Sequence, residues 1–463
     1  MLRSYSIWLL SMALCLLQAP LSAQSTPAGE EPSVPNATET IERMRALLLS
    51  DRERRRDALV YFGNHWREEY VPMLLEVLYL DRNPRHAPEV IALLERGTGQ
   101  SFGGDVNAWL DWLWSREERV LPFHGDWMAR LYSSLDPKFG PYFAGRTDQR
   151  LIRLDEVRWG GVGQDGIPPL RQPEMIPAGS ADYLADGDVV FGISINGDHR
   201  AYPKRILAWH EMFVDEVGGV PLAGVYCTLC GTVIAYDTRH GGVNHELGTS
   251  GFLYRSNKLM YDRATQSLWS TIEGKPVIGP LTDRGIELAS HAVVTTSWGE
   301  WCRLHPDTKV LSLNTGHRRD YAEGAAYRDY FATDRLMFTV PELDDRLANK
   351  AEVLIVRAPG YRDAPLAISA DYLRRNRIHH DRIGTTDFVV LTDDSGGNRV
   401  YRTGGRRFVE LRAGFVQDAG GTRWAIEEDC LKAPGGEQLE RLPYHRIFWF
   451  AWFNAYPETR LVF

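Results

Sequence analysis

Apolar residues in the first quarter of the chain repeat at intervals of three and four, the spacing of one helix face. This pattern predicts a helical module over residues 40–114. The positions that carry it are Ile41, Met44, Leu47, Leu48, Ala58, Leu59, Phe62, Leu74, Leu75, Leu78, Val90, Ile91, Leu94, Trp109, Leu110 and Leu113. Such short helix pairs resemble a degenerate HEAT-type repeat or, equally, a small helical bundle. No catalytic spacing stands out, so we expect a packing or docking module.

Short strands replace the helical pattern after Asp188. A strand over 189–195 and a second over 199–202 predict a hairpin, and one helix follows over 203–213. Further strands are expected at 220–226, 232–236, 310–313, 351–356 and 387–391. No alternation of strand and helix is present, so the predicted fold class is α+β: an N-terminal all-α module followed by a mainly antiparallel β-rich domain over 188–463.

Two segments flank the predicted domains in distinct ways. Residues 115–187 form a connector rich in proline, glycine and tryptophan, where prolines 168, 169 and 173 exclude long helices. The aromatic run over 448–453 is too apolar for a free tail. We expect it to pack back onto the domain core, because each aromatic ring gains by burial.

The N-terminus has the pattern of a secretory signal peptide over residues 1–23. Arg3 precedes an apolar run over residues 7–17, and small residues close the segment. The run is too short to span a bilayer comfortably, and an uncleaved anchor is the alternative interpretation. Residues 24–39 are polar and proline-rich, which predicts a flexible lead-in. We therefore expect a periplasmic or secreted protein with no membrane span after cleavage.

Composition and charge narrow the possible functions. The 463 residues are 44% hydrophobic and 25% charged, as in an ordinary globular protein of two or three domains. Lys and Arg number 53 against 61 Asp and Glu, and this net charge of -8 argues against nucleic acid as a partner. Five cysteines are too few for a disulfide scaffold, and no phosphate-binding loop, dinucleotide fingerprint or zinc-protease helix occurs.

The motif Cys227-x-x-Cys230-Gly231 is the strongest chemical signature of the chain. Two intervening residues let both sulfurs face one point, as in reversible disulfides, metal clamps and activated thiol nucleophiles. Residues 232–236 predict a strand after the motif, whereas in thioredoxin-like proteins a helix follows. The sequence therefore disfavours a thioredoxin fold. A structural disulfide or two buried thiols is the alternative without chemistry.

A metal site is a further interpretation of the same motif. A closed four-cysteine zinc site is disfavoured, because Cys302 and Cys430 are isolated and far along the chain. Whether these two pair with each other stays open. Thiolate, imidazole and thioether ligands together suit copper or another transition metal. The candidate ligands are His210, Cys227, Cys230, Met260 and His245.

His210 is the imidazole that we expect beside the thiols. It lies on the predicted helix over 203–213, and the next strand leads directly to Cys227, so the two ends could meet at one pocket. The alternative is a hydrogen-bonded core histidine, which is common on an apolar helix. In the catalytic interpretation His210 accepts a proton from Cys227 or Cys230, or orients them.

Several motifs in the second half of the chain occur in a characteristic order. They include Arg200-Ala201-Tyr202-Pro203, Trp209-His210-Glu211, Tyr226-Cys227, Leu259-Met260-Tyr261-Asp262, Ser267-Leu268-Trp269-Ser270, His305-Pro306 and Trp449-Phe450-Ala451-Trp452. In this order they resemble a secreted bacterial family known only as a domain of unknown function, number 3179. The resemblance covers roughly residues 185–463 and leaves the helical module outside.

The resemblance implies two chemistries for the site. Some family members carry selenocysteine at the position of Cys230, which implies thiol redox chemistry, since selenium is the better nucleophile and leaving group. Others carry threonine there, which leaves Cys227, His210 and Met260 as the shared set and implies a metal site.

Three functions are therefore expected from the sequence. The first is a thiol-disulfide oxidoreductase-like protein in which Cys227 and Cys230 cycle between dithiol and disulfide, with His210 alongside. The second is a non-catalytic protein that binds copper or another metal. The third is an interaction protein, in which the helical module docks a redox or other protein partner and the cysteine pair is a staple.

Overall fold

The computed structural model describes residues 33–81, 83 and 85–463, and Ala37–Phe463 form one compact unit. The predicted signal peptide and most of the predicted lead-in lie outside the described residues. The α-helices within them are α1 (Ala37–Ala46), α2 (Arg52–Asn64), α3 (Tyr70–Leu80), α4 (Ala87–Thr98), α5 (Val106–Trp114), α6 (His124–Tyr132), α7 (Gly140–Phe143), α8 (Lys204–His210), α9 (Trp298–Leu304), α10 (Arg328–Phe331), α11 (Ala370–Arg375) and α12 (Trp449–Ala455).

The strands begin only after the first seven helices. The first seventeen are β1 (Val157–Trp159), β2 (Leu170–Arg171), β3 (Met175–Pro177), β4 (Val189–Ile195), β5 (Asp198–Pro203), β6 (Met212–Val217), β7 (Val220–Cys227), β8 (Thr232–Asp237), β9 (Arg239–His240), β10 (Val243–Asn244), β11 (Leu247–Tyr254), β12 (Asn257–Asp262), β13 (Leu268–Ser270), β14 (Lys275–Ile278), β15 (Ser290–His291), β16 (Val294–Ser297) and β17 (Lys309–Leu311). The others are β18 (Glu352–Val356), β19 (Leu366–Ser369), β20 (Ile378–Ile383), β21 (Thr386–Thr392), β22 (Asn398–Arg402), β23 (Phe408–Arg412), β24 (Phe415–Asp418), β25 (Arg423–Ile426), β26 (Cys430–Lys432), β27 (Gln438–Glu440), β28 (Tyr444–Phe448) and β29 (Arg460–Val462).

This order confirms the predicted α+β class, with helices first and a mainly antiparallel β-rich region after them. Helices α1–α5 occupy the region in which helical periodicity predicted them. Their apolar faces share one core, to which Met44, Phe62, Leu74, Leu94 and Trp109 contribute fully buried side chains.

Helices α6 and α7 lie in the connector over 115–187, for which the sequence excludes long helices and predicts no short ones. The prolines that exclude helices lie at 168–173, beyond both elements. Pro141 lies in the first turn of α7, where proline is tolerated. Helix α6 buries Trp127 and Met128 in the helical core, and this burial stabilises it.

A central sheet of order β15-β8-β7-β6-β2 lies between two other five-stranded sheets. One face packs on the sheet β1-β11-β12-β13-β14 through residues that include Met212, Val225, Ile234, Met260 and Trp269. The opposite face packs on the sheet β16-β4-β5-β17-β3 through residues that include Phe191, Tyr202, Phe213, Tyr226 and Val233. Strand β7 is therefore buried on both faces, and this fixes the position of its C-terminal end.

The helices cover the far face of the β1-β11-β12-β13-β14 sheet. Phe252, Leu259 and Leu268 of that sheet belong to the same core as Trp127 and Phe143 of the helices. The helical region and the β-rich region therefore share buried surface.

The C-terminal aromatic run packs back onto the domain, as the sequence predicted. Strand β28 pairs with β18, and α12 follows it directly with Trp449, Phe450 and Trp452 buried. The backbone amide of Phe448 donates to the carbonyl of Cys230 at 2.8 Å. The end of the chain thus supports the cysteine motif.

The predicted helix over 203–213 is shorter than expected. Helix α8 ends at His210, Glu211 adopts a left-handed conformation with φ 54°, and Met212 begins β6. The apolar residues over 203–213 repeat at helical spacing, which is why the predicted helix was too long. Met212 and Phe213 are instead neighbouring buried residues of strand β6. None of the helices in the described ranges is both long and apolar enough to cross a membrane.

Candidate functional site

The cysteine motif forms the tight turn between β7 and β8. Cys227 ends β7 and pairs with Thr232, the first residue of β8. The backbone amide of Cys230 donates to the carbonyl of Cys227 at 3.1 Å. Gly231 has φ 61°, and a Cβ there would lie 2.5 Å from the ring of Phe448, so the turn requires glycine. The strand predicted after the motif is confirmed.

Cys227 and Cys230 have pKa values that shift in opposite directions. Burial would raise the pKa of Cys227, but the hydrogen bond from Cys230 and the backbone amide and charge of Lys258 bring it below its ordinary value. Burial and the hydrogen bond to Cys227 hold the pKa of Cys230 well above its ordinary value. The pair therefore carries its first negative charge on Cys227.

Lys258 brings a buried positive charge to this turn. Its ammonium donates to the carbonyls of Glu211 at 3.2 Å and Tyr226 at 3.3 Å, and it forms an ion pair with the carboxylate of Glu211. That carboxylate also accepts a hydrogen bond from the hydroxyl of Tyr327 at 2.9 Å. A buried ammonium requires compensating negative charge, which Glu211 and the thiolate of Cys227 supply together.

A cavity of about 70 Å³ adjoins one of the two thiols. Its polar wall contains Cys227, Glu211, Lys258 and Tyr327, and its apolar wall includes Leu229, Phe252, Met337 and Phe338. Of the two cysteines in the motif, Cys227 alone belongs to this wall. A small molecule in the cavity would therefore meet Cys227 first.

The segment over 312–351, here called the strap, connects β17 to β18 and covers the cavity. Three tyrosine hydroxyls of the strap hydrogen-bond residues around the motif: Tyr321 with His210 at 2.6 Å, Tyr327 with Glu211 at 2.9 Å and Tyr330 with Leu229 at 2.7 Å. Cys227 is 1% exposed and Cys230 is 0% exposed. Access to the thiols therefore depends on the strap.

A family model described as "Protein of unknown function (DUF3179)" matches residues 164–459, more than half of the chain. The chain belongs to this family. The match confirms the resemblance that the sequence motifs indicated, and it contains the cysteine turn, Lys258, Glu211 and the whole strap. No curated protein and no solved structure matches the chain.

Within the family region, His210 does not occupy the position that the sequence predicted. Its Nδ1 lies 2.9 Å from the carbonyl oxygen of Pro168, and its Nε2 lies 2.6 Å from the hydroxyl of Tyr321. Burial lowers the pKa of His210 to about 4. Both nitrogens are thus engaged away from the sulfurs, because α8 ends at this residue and the next one, Glu211, turns toward Lys258 instead.

The predicted metal ligands are likewise dispersed. Met260 is fully buried between two sheets in the cluster that contains Val225 and Ile234. The ring of His245 lies 5.0 Å from that of Trp269. Across residues 33–81, 83 and 85–463, no group of three or more His, Cys, Asp or Glu side chains is placed to hold a metal ion.

All four cysteines of the described chain are free thiols. Burial raises the pKa of Cys302, in α9, to about 11. Burial also raises the pKa of Cys430, whose sulfur lies 3.7 Å from the carboxylate of Glu427. Cys227 therefore differs from the other three in having a lowered pKa.

Sequence reasoning missed Lys258, Glu211, Asn257 and Tyr327. The alternation of β12 contained a usable signal, because Lys258 shares a strand face with Met260, and that face is buried against the central sheet. A lysine on a buried strand face needs a charged partner nearby. The partner, Glu211, is remote from Lys258 in sequence. It follows His210, the residue that the sequence predicted beside the thiols.

Proposed function

We propose that this family domain is a thiol-redox centre in which Cys227 and Cys230 cycle between a dithiol and a disulfide. The observation that carries the proposal is a tight turn that holds both cysteines, with the buried ammonium of Lys258 lining the same cavity wall as Cys227 and the Asn257 amide donating to the sulfur of Cys230 at 3.1 Å. The pKa of Cys227 is lowered and that of Cys230 is raised, which agrees with this arrangement. A thiolate is the reactive form of cysteine, and a neighbouring protonated thiol is what resolves the product of its attack.

The proposed cycle assigns a separate task to each residue. Cys227 attacks the oxidant as a thiolate, and Cys230 then gives up its proton and attacks the modified sulfur of Cys227. One S–S bond forms, and the oxidant receives two electrons, one proton from Cys230 and a second proton from water. Lys258 stabilises the thiolate of Cys227, and Glu211 compensates the ammonium when that thiolate is consumed.

The same proposal places the protein outside the cytoplasm. The charged, apolar and small-residue pattern over residues 1–23 supports export. An oxidising compartment is where a vicinal dithiol can close. The helical region shares its core with the β-rich region, so the two would be exported together as one unit.

A redox titration of the full-length chain tests the cycle. Combining Cys15→Ser, Cys302→Ser and Cys430→Ser leaves Cys227 and Cys230 as the two thiols of the full-length chain. In every Cys302→Ser/Cys430→Ser protein, Cys15 is replaced by serine as well. The protein is equilibrated in dithiothreitol buffers of graded potential, alkylated and digested for peptide mapping. We expect one two-electron transition and a Cys227–Cys230 disulfide. Two alkylated thiols at every potential, in protein that stays folded by circular dichroism, would contradict the proposal.

A further inference from the structure

We propose that the oxidant of this centre is a small hydroperoxide, ROOH with R a hydrogen atom or a short alkyl group. This inference rests on the proposed thiol-redox function and names its substrate class. It is carried by the size and the lining of the cavity at Cys227 and by the near-complete burial of that thiol.

The cavity is too small for a peptide disulfide. A volume of about 70 Å³ accommodates a few water-sized groups. Met337 and Phe338 of the strap close one side, and Cys227 itself is 1% exposed. A protein disulfide needs a surface-exposed sulfur to attack, whereas a molecule the size of hydrogen peroxide needs only the existing space.

The polar wall suits cleavage of an O–O bond. The Cys227 thiolate attacks the terminal oxygen, so that an S–O bond forms, the O–O bond breaks and RO⁻ leaves. Lys258 lines the same wall, and its positive charge stabilises RO⁻ until RO⁻ takes a proton from water and leaves as ROH. The hydroxyl of Tyr327, in the same wall, donates to Glu211 and holds that carboxylate beside Lys258. The apolar wall around Leu229 and Phe338 accepts the group R.

The second step joins two residues of one tight turn. Cys227 now carries a sulfenic acid, and Cys230 lies on the same turn, with its backbone amide 3.1 Å from the carbonyl oxygen of Cys227. The Cys230 sulfur attacks, the S–S bond forms and water leaves with the Cys230 proton. Asn257, which donates to Cys230 at 3.1 Å, stabilises the negative charge that develops there.

Oxidation rates of the reduced full-length chain test the substrate class. The Cys302→Ser/Cys430→Ser protein is mixed with hydrogen peroxide, tert-butyl hydroperoxide, oxidised glutathione or diamide, and disulfide formation is followed by quenched alkylation and mass spectrometry. We expect hydrogen peroxide to oxidise the protein about tenfold or more faster than it oxidises N-acetylcysteine at pH 7. An ordinary thiol is only a few per cent thiolate at that pH. We expect oxidised glutathione to be the slowest oxidant.

A trapping variant locates the first step. Cys230→Ser treated with peroxide and dimedone should carry the adduct on Cys227, and Cys227→Ser should carry none on Cys230. The opposite distribution, or oxidised glutathione outpacing peroxide, would overturn the inference.

The two proposals fail in different ways. One outcome is that diamide closes the disulfide while hydrogen peroxide oxidises the protein no faster than it oxidises N-acetylcysteine. In that case the hydroperoxide assignment is wrong and the dithiol cycle stands. If every oxidant leaves the folded protein reduced, the dithiol cycle is wrong as well.

Discussion

Asn257 donates its side-chain amide to the sulfur of Cys230 at 3.1 Å. The next residue of the same strand, Lys258, lowers the pKa of Cys227 through its backbone amide and its charge. The backbone amide of Lys258 acts on Cys227, whereas the Asn257 amide and the Lys258 charge also lower the pKa of Cys230 without offsetting burial and the neighbouring Cys227. Burial, the backbone amide of Lys258 and the interaction between the two thiols therefore give the pair its different acidities.

Replacing Lys258 by methionine should remove the charge that favours the Cys227 thiolate. We expect the pKa of Cys227 to rise and iodoacetamide alkylation at pH 7 to slow about tenfold. Lys275→Met is the matched control, because Lys275 pairs with Glu273 at 3.2 Å and is partly exposed. An unchanged alkylation rate in Lys258→Met would show that Lys258 does not set the acidity of Cys227.

The same ion pair contributes to stability. Lys258→Met leaves the buried carboxylate of Glu211 without its partner, so we expect the free energy of unfolding to fall by about 3–5 kcal/mol. The double variant Lys258→Met/Glu211→Gln should recover much of this loss, since neither charge remains. Urea denaturation measures both. Equal losses in the single and double variants would refute the compensating role of Glu211.

The tyrosines of the strap should control access to Cys227. Tyr330→Phe removes the hydroxyl that donates to the carbonyl of Leu229 and leaves that acceptor unsatisfied, at a cost of about 1–3 kcal/mol. We expect looser closure and faster alkylation of Cys227 in the folded protein. Tyr61→Phe, in α2 of the helical region, is the control. If both variants are alkylated at the wild-type rate, the strap does not gate the site.

His210 should make the fold sensitive to acid. Its pKa is about 4 in the folded chain against an ordinary value of 6.5, so the unfolded chain binds the proton first as pH falls. Stability from this residue is fully present above about pH 6.5 and is lost progressively toward pH 4, by about 1–3 kcal/mol in total. Burial disfavours the charged ring, while Nδ1 of the neutral ring donates to the carbonyl of Pro168 and Nε2 lies 2.6 Å from the hydroxyl of Tyr321.

Urea denaturation between pH 7 and pH 4.5 checks this linkage. The His210→Gln variant should show a shallower loss of stability than the wild type. Burial also lowers the pKa of His124, to about 3, and its contribution is common to both proteins. Parallel pH profiles would contradict the role assigned to His210.

Gly231 should be essential to the cysteine turn for two separable reasons. Gly231→Ala places a side chain at φ 61° and 2.5 Å from the Phe448 ring. Gly241→Ala introduces backbone strain alone, because Gly241 has φ 57° and a Cβ added there would have no heavy atom within 4 Å. We expect backbone strain to lower the free energy of unfolding by about 1–2 kcal/mol in each variant. Overpacking against Phe448 should lower it by about 1–3 kcal/mol more in Gly231→Ala. Equal destabilisation would contradict the tight fit against Phe448.

The sequence predicted the elements whose signals are local. Helices α1–α5 follow from apolar periodicity, and β7 and β8 follow from runs of apolar and β-branched residues on either side of the cysteine motif. The burial of the C-terminal aromatic run also followed from composition alone. These features depend on residues close together in the chain, and their physical causes are therefore readable from it.

The candidate site was only half predictable. Cys227 and Cys230 are marked by their spacing, but their partners come from β12, from the residue after α8 and from the strap, which are remote in sequence. The sequence predicts His210 beside the thiols because the strand that follows its helix leads directly to Cys227. The left-handed backbone at Glu211 decides which of the two neighbours faces Lys258, and no pattern of residue types reveals that conformation.

A thiolate titration tests the asymmetry of the pair most directly. Absorbance at 240 nm is recorded against pH for the reduced Cys302→Ser/Cys430→Ser protein, and again after adding Cys227→Ser. We predict a thiolate signal that disappears on acidification with a midpoint below the ordinary thiol pKa, and that is absent when Cys227 is replaced. A midpoint at or above the ordinary value, or a signal that survives in Cys227→Ser, would contradict the account.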